Sequence, residues 1–166
     1  ECSSLTQITI PSSVTSIEKA AFSKCHQLAQ ITIPSSVTEI GDEVFSECIR
    51  LLQITIPSSV VSIGNYIFSK CKSLKKIEIP SSVIEIGKGA FSECVWLSNI
   101  SISSPITEIR SNVFFKCFSL IQINIPPSVT SIGPSAFVKC TDMKQITIPS
   151  SVTSIGDRAF RECTSL

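Results

Sequence analysis

The stretch Ile31–Gly41 reads ITIPSSVTEIG, and the fold of the whole chain can be predicted from it. Close copies begin at Ile8, Ile54, Ile77, Ile123 and Ile146, and a degenerate copy begins at Ile100. Eight cysteines share this periodicity, because each lies 23 residues after the one before, from Cys2 to Cys163. A fixed period of this length is typical of a solenoid, in which each repeat is one coil that buries its apolar face only against its neighbours.

Positions within a coil are counted here from its cysteine, which is position 1. Positions 7, 9 and 16 are always Ile, position 21 is always Phe, position 4 is Leu or Met, and position 13 is Val or Ile. We therefore expect a single solenoid domain over residues 1–166, with seven coils from Cys2 to Glu162 and the start of an eighth. Because the sequence starts and stops at the same point of the repeat, we also expect it to be a fragment of a longer chain.

The first half of each coil has the pattern of two short strands. The segment 30–33, Gln-Ile-Thr-Ile, alternates polar and apolar residues, as in a half-buried β-strand. Pro34 should end this strand, because proline cannot donate to a ladder of hydrogen bonds. Val37 and Ile40 then indicate a second inward-facing extended segment, and we expect Gly41 to end it with a positive φ.

The second half of each coil has a spacing that indicates a short helix. Asp42 is placed as an N-cap, and the equivalent Asn65, Ser111 and Asp157 are interpreted in the same way. Apolar residues then recur at three- and four-residue steps, as at Phe45 and Cys48. The predicted fold is thus an α/β solenoid, with a parallel β-sheet on the concave face and short extended or helical segments on the convex side.

The longer pattern L-x-x-I-x-I-P-x-S-V-x-x-I-G-x-x-A-F-x-x-C closely resembles the BspA-like class of leucine-rich repeats, and the resemblance covers the whole chain. Repeat five departs from it with Ser103 for the Pro and Arg110 for the Gly, and repeat one has Glu18 for the Gly. The resemblance implies a leucine-rich-repeat-type right-handed superhelix. It also implies a surface or secreted protein, as in bacteria and parasitic protists, that adheres to host or matrix proteins. The residues that define the family are packing and turn residues, so they imply no binding specificity.

The sequence offers little material for catalysis, and we expect no enzyme activity, cofactor or metal site. The only histidine, His26, lies at a variable position, and no base accompanies the abundant serines. The cysteines are expected to form a buried ladder of free thiols, because equivalent side chains point into the core. Glu85 and Glu108 share position 15 on adjacent coils, and we interpret them as a solvated pair rather than a cation site.

Two surfaces are candidates for binding. The first is the predicted concave face, which is polar and nearly uncharged, with the candidates Gln30, Gln53, Lys75, Lys76, Asn99, Gln122 and Gln145. The second is a cluster of apolar residues at positions where most other coils are polar, and clustered exposed apolar residues mark interaction sites. Its members are Trp96, Val95, Phe115, Phe118, Ile121 and Val138. The triplet that begins at Asn99 is a glycosylation sequon, and a glycan there would block the first surface.

Two function classes follow. The first is a non-enzymatic protein-binding scaffold, a surface adhesion module whose partner is a host or matrix protein. The second is a structural component of a larger intracellular assembly, such as a filament or cytoskeletal lattice, whose partner is a neighbouring subunit and whose coils continue end to end with further repeats. With 14 basic and 13 acidic residues the chain gives no reason to expect nucleic acid as a partner. It has no apolar run long enough to insert into a membrane.

Overall fold

In a computed structural model that describes Cys2 and residues 4–166, the chain winds into a solenoid of short parallel strands. Each coil carries two strands, one on each side of the proline-serine turn, except that coil three carries only the second. The strands are β1 (Gln7–Thr9), β2 (Ser16–Ile17), β3 (Gln30–Thr32), β4 (Glu39–Ile40), β5 (Ser62–Ile63), β6 (Lys76–Ile79), β7 (Glu85–Ile86), β8 (Asn99–Ile102), β9 (Glu108–Ile109), β10 (Gln122–Asn124), β11 (Ser131–Ile132), β12 (Gln145–Thr147) and β13 (Ser154–Ile155).

Strands pair in parallel with the equivalent strands of the next coil, in register over the 23-residue period. The first strands pair as β1 with β3, β6 with β8 and β10 with β12. The second strands form the ladders β2-β4-β5-β7 and β9-β11-β13. In coil three the segment equivalent to a first strand is not a strand, but its Ile54 and Ile56 remain buried. The predicted parallel sheet is therefore confirmed.

Stacked ladders of like side chains form the core. The phenylalanines from Phe22 to Phe160 stack in one column, with ring centroids 5.2–5.8 Å apart and planes within 16° of parallel. The equivalent Leu, Ile and Val residues of the internal coils are buried beside this column, except that Ile102 of coil five is partly buried. Each coil thus buries its apolar side chains against the coils before and after it, as the spacing predicts.

The predicted helices are wrong. Residues 42–47 and their equivalents form consecutive turns, and Glu43 and Glu47 have φ values of 58° and 61°. A left-handed residue interrupts a right-handed helix. The N–H groups of Glu43, Phe45 and Glu47 instead donate to carbonyls of the next coil, at 2.8–2.9 Å. The α/β assignment is therefore corrected to a β-solenoid in which turns as well as strands hydrogen-bond between coils.

Without helices on the turn side, the stack has no cause for the expected curvature. The concave face was predicted because helices occupy more width than paired strands, which lie about 4.8 Å apart. The turn side also repeats at short distance, as the phenylalanine spacing of 5.2–5.8 Å shows. We therefore call the surface formed by the first strands the Gln–Thr face.

The residues predicted as helix N-caps have a different role. The Asp42 carboxylate accepts a hydrogen bond from the backbone N–H of Asn65 at 2.7 Å. The Asn65 side-chain oxygen accepts in turn from the N–H of Lys88 at 2.8 Å. Position 18 thus uses the capping chemistry of Asp and Asn, but the N–H group that it satisfies belongs to the next coil.

The glycines at position 17 are also needed for a different reason than predicted. Among the glycines of the described chain only Gly89, at position 19, has a positive φ. At Gly64 and Gly87 a Cβ atom would lie 2.5–2.6 Å from backbone atoms of the preceding coil. Glycine at position 17 therefore allows stacked backbones to approach closely.

The degenerate copy in coil five changes the turn between the strands. In the six coils with proline at position 10, its carbonyl accepts from the N–H of position 13, as Pro34 does from Val37 at 3.0 Å. The serine at position 12 then donates to the preceding coil, as Ser128 does to the Ile106 carbonyl at 2.7 Å. Coil five has Pro105 at position 12, and Ser104 is buried with a hydroxyl that has no hydrogen-bond partner in the described chain.

Candidate protein-binding surfaces

The predicted apolar cluster lies on the segment that joins the turns to the first strand. Trp96 is 62% exposed and Ile121 is 45% exposed, while Phe118 is partly exposed and Val95 and Phe115 are half-buried. Val138 is buried, and its carbonyl accepts a hydrogen bond from Lys116 N–H at 2.7 Å. The structure thus leaves Trp96, Phe118 and Ile121 at the surface with Val95 beside them, and these four residues are called the Trp96 patch.

Backbone hydrogen bonds between coils fix the Trp96 patch. The Val95 carbonyl accepts from Ser119 N–H at 3.3 Å, which holds coil six against coil five at this point. The Ile121 carbonyl accepts from Lys144 N–H at 3.0 Å. Residues at the same position of adjacent coils, called ladder neighbours here, lie about one strand spacing apart. Val95 and Phe118 are ladder neighbours at position 2, so they present one continuous apolar surface. The patch is built on the backbone of the stack.

Phe115 lies at the turn-side edge of this surface. The Lys116 ammonium group is 5.1 Å from the centroid of the Phe115 ring, within the range of a cation–π contact. This contact covers part of the ring with a cation, so Phe115 presents less apolar surface than its type suggests.

The Gln–Thr face is the second candidate surface. Every predicted residue of this face is exposed, and the pairs Lys76–Asn99 and Gln122–Gln145 are in register. A groove of about 490 Å³ crosses coils two to five, with Gln30, Gln53 and Lys76 in its lining. Lys76 pairs with Glu78 at 2.8 Å, and this hydrogen bond lowers the pKa of the Glu78 carboxyl. The face is therefore polar, and the charges of Lys76 and Glu78 neutralise each other.

An exposed apolar pair was missed in the sequence. Val61 and Ile84 are ladder neighbours at position 14, where five other coils have Thr, and Ile84 is 64% exposed. Comparison of position 14 across the coils would have found them, just as the comparison of positions 2, 3 and 5 found the Trp96 patch. No aromatic residue accompanies this pair at position 14.

The paired carboxylates of coils four and five are bridged by a side chain. The Arg110 guanidinium binds Glu85, and its Nε lies 3.5 Å from Glu108. Arg110 thus occupies the place in which a cation was considered, and it does so because it replaces the glycine of position 17. Among the described residues, no group of three or more His, Cys, Asp or Glu side chains comes together to hold a metal.

The eight cysteines are free, as predicted, and six of them are buried. Burial raises the pKa of the Cys48 thiol to about 12, and it raises the pKa values of Cys71, Cys94, Cys117 and Cys140 in the same direction. A thiol is reactive only as the thiolate, so this ladder is structural. The part of the chain that the structure describes contains no helix long and apolar enough to cross a membrane.

Comparison with known proteins identifies the repeat. The profile described as BspA type leucine rich repeat region matches residues 1–118 and 38–166, in six copies. A T. pallidum leucine rich repeat protein is 30% identical, with a TM-score of 0.69 over 99% of this chain and 66% of that chain. A leucine rich cell surface protein from Faecalibacterium prausnitzii A2-165 is 32% identical, with a TM-score of 0.67 over 99% and 59%.

The pneumococcal vaccine antigen PcpA shares the fold, with a TM-score of 0.58 at 19% identity over 96% of this chain and 55% of that chain. The chain therefore spans less than two thirds of the length of each of these three structures. No curated protein sequence matches it.

Proposed function

The chain belongs to the BspA-type leucine-rich repeat family, and from this premise we propose that it is an adhesion module, at the cell surface or secreted, that binds a host or matrix protein through the Trp96 patch. Leucine-rich repeat proteins of this type are protein-interaction scaffolds and are generally not enzymes. The observation that carries the proposal is the 62% exposure of Trp96, at a position where the six other coils have polar residues. One relative of similar fold is described as a cell surface protein, which supports the location.

The Trp96 patch has the properties of a binding hot spot. Tryptophan is enriched among the residues that dominate interface energetics, and it contributes most where a partner excludes water around it. The inter-coil hydrogen bonds at Val95 and Ile121 hold the surrounding backbone, so binding costs little backbone conformational entropy. Ile121 directly precedes β10, so the polar Gln–Thr face adjoins the patch and can supply the polar rim of an interface.

Matched variants test which surface binds. Ile121 and Leu52 share position 5, and they are 45% and 48% exposed. The immobilised chain is assayed against a panel of purified extracellular-matrix proteins, with the variants Trp96→Ser, Ile121→Ser and Leu52→Ser. We expect Trp96→Ser to weaken binding by at least about tenfold, Ile121→Ser to weaken it less, and Leu52→Ser to leave it unchanged.

The location is tested separately. Surface biotinylation of intact source cells should label the protein without lysis, and it should be recovered from the membrane or medium fraction. Labelling only after lysis would contradict the adhesion role and would favour the intracellular assembly instead. Matrix binding that Trp96→Ser leaves intact would show that another surface, such as the Gln–Thr face, makes the contact.

A further inference from the structure

The coils that flank the Trp96 patch carry lysines at its own ladder positions. Lys72 and Val95 share position 2, and Lys72 lies one coil before Val95, in coil four. Lys75 and Lys144 share position 5 with Ile121. Lys75 lies two coils before Ile121, and Lys144 lies one coil after it. The backbone confirms this placement, because the Lys75 carbonyl accepts from Ser98 N–H at 3.1 Å and Lys144 N–H donates to Ile121 at 3.0 Å. The apolar surface is thus bounded by cations above and below.

These lysines have no ion pair of their own within the described chain. Lys72, Lys75 and Lys144 are all exposed and lie in none of its salt bridges. Ladder neighbours are about 4.8 Å apart. The charges of coils four and seven therefore lie roughly one to two coil spacings from the patch, within or near the Debye length of about 8 Å at physiological salt.

When all sides of the patch are counted, five lysines (Lys72, Lys75, Lys116, Lys139 and Lys144) accompany three acidic residues (Glu93, Asp142 and Glu162). Lys116 lies over the Phe115 ring, and Lys139 pairs with Glu162 at 3.2 Å. Two further acidic residues flank the patch: Glu93, at position 23 of coil four, and Asp142, at position 3 of coil seven, whose N–H donates to the Phe118 carbonyl at 2.9 Å. The chain as a whole is nearly neutral, with 14 basic and 13 acidic residues, so this excess of positive charge is local to the patch.

We propose that the Trp96 patch binds an acidic protein segment whose apolar side chains contact Trp96, Phe118 and Ile121 while its carboxylates face Lys72, Lys75 and Lys144. This inference rests on the proposed function and adds the chemistry of the partner to it. Apolar contact in the middle supplies affinity, and complementary charge at the edge supplies orientation and a faster encounter. A basic or neutral segment gains only the apolar part.

The single tryptophan of the chain reports on the local field without any ligand. Quenching of Trp96 fluorescence is measured with iodide and with caesium at equal ionic strength, each normalised to free N-acetyltryptophanamide. We expect iodide to quench more effectively than caesium, and the triple variant Lys72→Gln, Lys75→Gln, Lys144→Gln to remove the difference. Lys88→Gln is the control, because Lys88 is exposed in coil four but lies on the turn side, at position 18. Equal quenching by both ions in the unmodified chain would overturn the proposal.

The partner chemistry is tested with three synthetic peptides that contain no tryptophan, so that all tryptophan emission comes from Trp96. In the first, Asp and Glu alternate with Leu and Phe; in the second, Lys replaces the acidic residues; in the third, Ser replaces the apolar ones. The first should shift Trp96 emission to shorter wavelength and lose affinity as salt is raised, and the triple Lys→Gln variant should bind it about tenfold more weakly. The second and third peptides should each bind more weakly than the first, because each makes only one of the two kinds of contact.

Three outcomes would overturn the proposal: equal binding of the basic peptide, binding of the acidic peptide that Trp96→Ser does not weaken, and binding of phosphatidylserine vesicles without binding of the acidic peptide. The matrix-protein assay separates this inference from the proposed function. If Trp96→Ser abolishes matrix binding but the triple Lys→Gln variant and added salt do not weaken it, the adhesion function stands and the acidic partner is excluded. If Trp96→Ser leaves matrix binding intact, the proposed function itself fails.

Discussion

The cysteine that begins each coil acts as a hydrogen-bond donor as well as an apolar side chain. From Cys48 to Cys163, each thiol donates to the carbonyl of the phenylalanine 26 residues earlier, two coils before it in the chain, at 3.0–3.2 Å. The same carbonyl also accepts a backbone bond, as Phe45 does from Cys48 N–H at 3.1 Å. Cysteine suits this position because it is small, tolerates full burial and still carries a weak donor.

The buried thiols should make the protein labile to alkali. Their folded pKa values are raised, to about 12 for Cys48, whereas an unfolded thiol titrates near about 8.5. Above about pH 8.5 the unfolded state therefore binds fewer protons, and the free energy of unfolding should fall by up to about 1.4 kcal/mol per pH unit per buried thiol.

Urea denaturation at several pH values between about 8 and about 10 checks this slope. The matched variant Cys94→Ala removes one buried thiol and should reduce the slope by up to about 1.4 kcal/mol per pH unit, although the variant is less stable at neutral pH. An unchanged slope in Cys94→Ala would contradict the assignment of alkaline lability to the thiol ladder.

The serine of the degenerate turn is predicted to weaken the fold. The Ser104 hydroxyl is buried without a partner in the described chain, whereas the Ser128 hydroxyl donates to Ile106 at 2.7 Å. An unsatisfied buried polar group costs about 1–3 kcal/mol, and a made hydrogen bond contributes about 1 kcal/mol. Ser104→Ala should therefore raise the free energy of unfolding, and Ser128→Ala should lower it by about 1 kcal/mol. Thermal denaturation of both variants decides the matter, and a loss of stability in Ser104→Ala would show that the hydroxyl is satisfied.

At the scale of the element, the strands could be predicted from the sequence and the turns could not. Alternation at 30–33 predicts a strand, and β3 follows it, although the same four residue types at 53–56 form no strand. The spacing of Val44, Phe45 and Cys48 fits a helix and also fits a chain of turns, because both bring these side chains inward. What distinguishes them is the positive φ of Glu43 and Glu47, and neither residue type indicates it. The need to bond to the next coil at short spacing imposes that conformation.

The ladder of charged residues at position 23 gives a prediction with a defined pH dependence. The Lys70 ammonium group lies 3.1 Å from a Glu47 carboxylate oxygen, and this hydrogen bond lowers the pKa of Glu47 and raises that of Lys70. The contribution of Glu47 to stability is therefore fully present above its unfolded pKa of about 4.3 and is lost as the pH falls through its lower folded pKa. For Lys70 it is present below about pH 10.4 and is lost as the pH rises through the raised value.

Glu47→Gln should lower the free energy of unfolding at neutral pH by about 0.2–1 kcal/mol, since the pair is partly exposed. The difference from the unmodified chain should shrink as acid protonates the carboxylate. Glu93→Gln is the matched control, because Glu93 shares position 23 but lies in no salt bridge of the described chain. Denaturation curves at neutral and acidic pH measure both variants, and a Glu47→Gln effect that persists in acid would exclude the ion pair as its cause.

At the scale of the molecule, most of the candidate site could be predicted by comparing the residue types at each repeat position across the coils. Residues that break the pattern of their position, such as Trp96 and Ile121, are exposed as expected. Val138 breaks its pattern too and is buried, because the turns at position 22 face partly inward and the helix geometry assumed for them was wrong. Position 14 was not compared, so Ile84 was missed. The same repetition that reveals the fold thus reveals the surface, once the direction of each position is known.

The repetition also predicts that whole coils are interchangeable units. Coil six bonds to both of its neighbours through its second strand, β11, and through its turns, so its removal should leave the rest in register. Deletion of coil six, residues 117–139, joins Lys116 to Cys140 and places Lys116 beside Glu162 at position 23, which is a favourable pair. We expect a folded, cooperatively unfolding chain with a lower melting temperature, because one inter-coil interface is lost.

The control deletes one residue fewer, residues 117–138. That change moves every later side chain by one position, so the inward residues of coil seven turn outward and the phenylalanine column is broken. Far-UV circular dichroism and thermal melting compare the two deletions, and only the first should give a β-type spectrum with a sharp transition. Equal folding of both would mean that the coils tolerate a shift of register, and unfolding of both would mean that the stack is one cooperative unit whose coils cannot be removed.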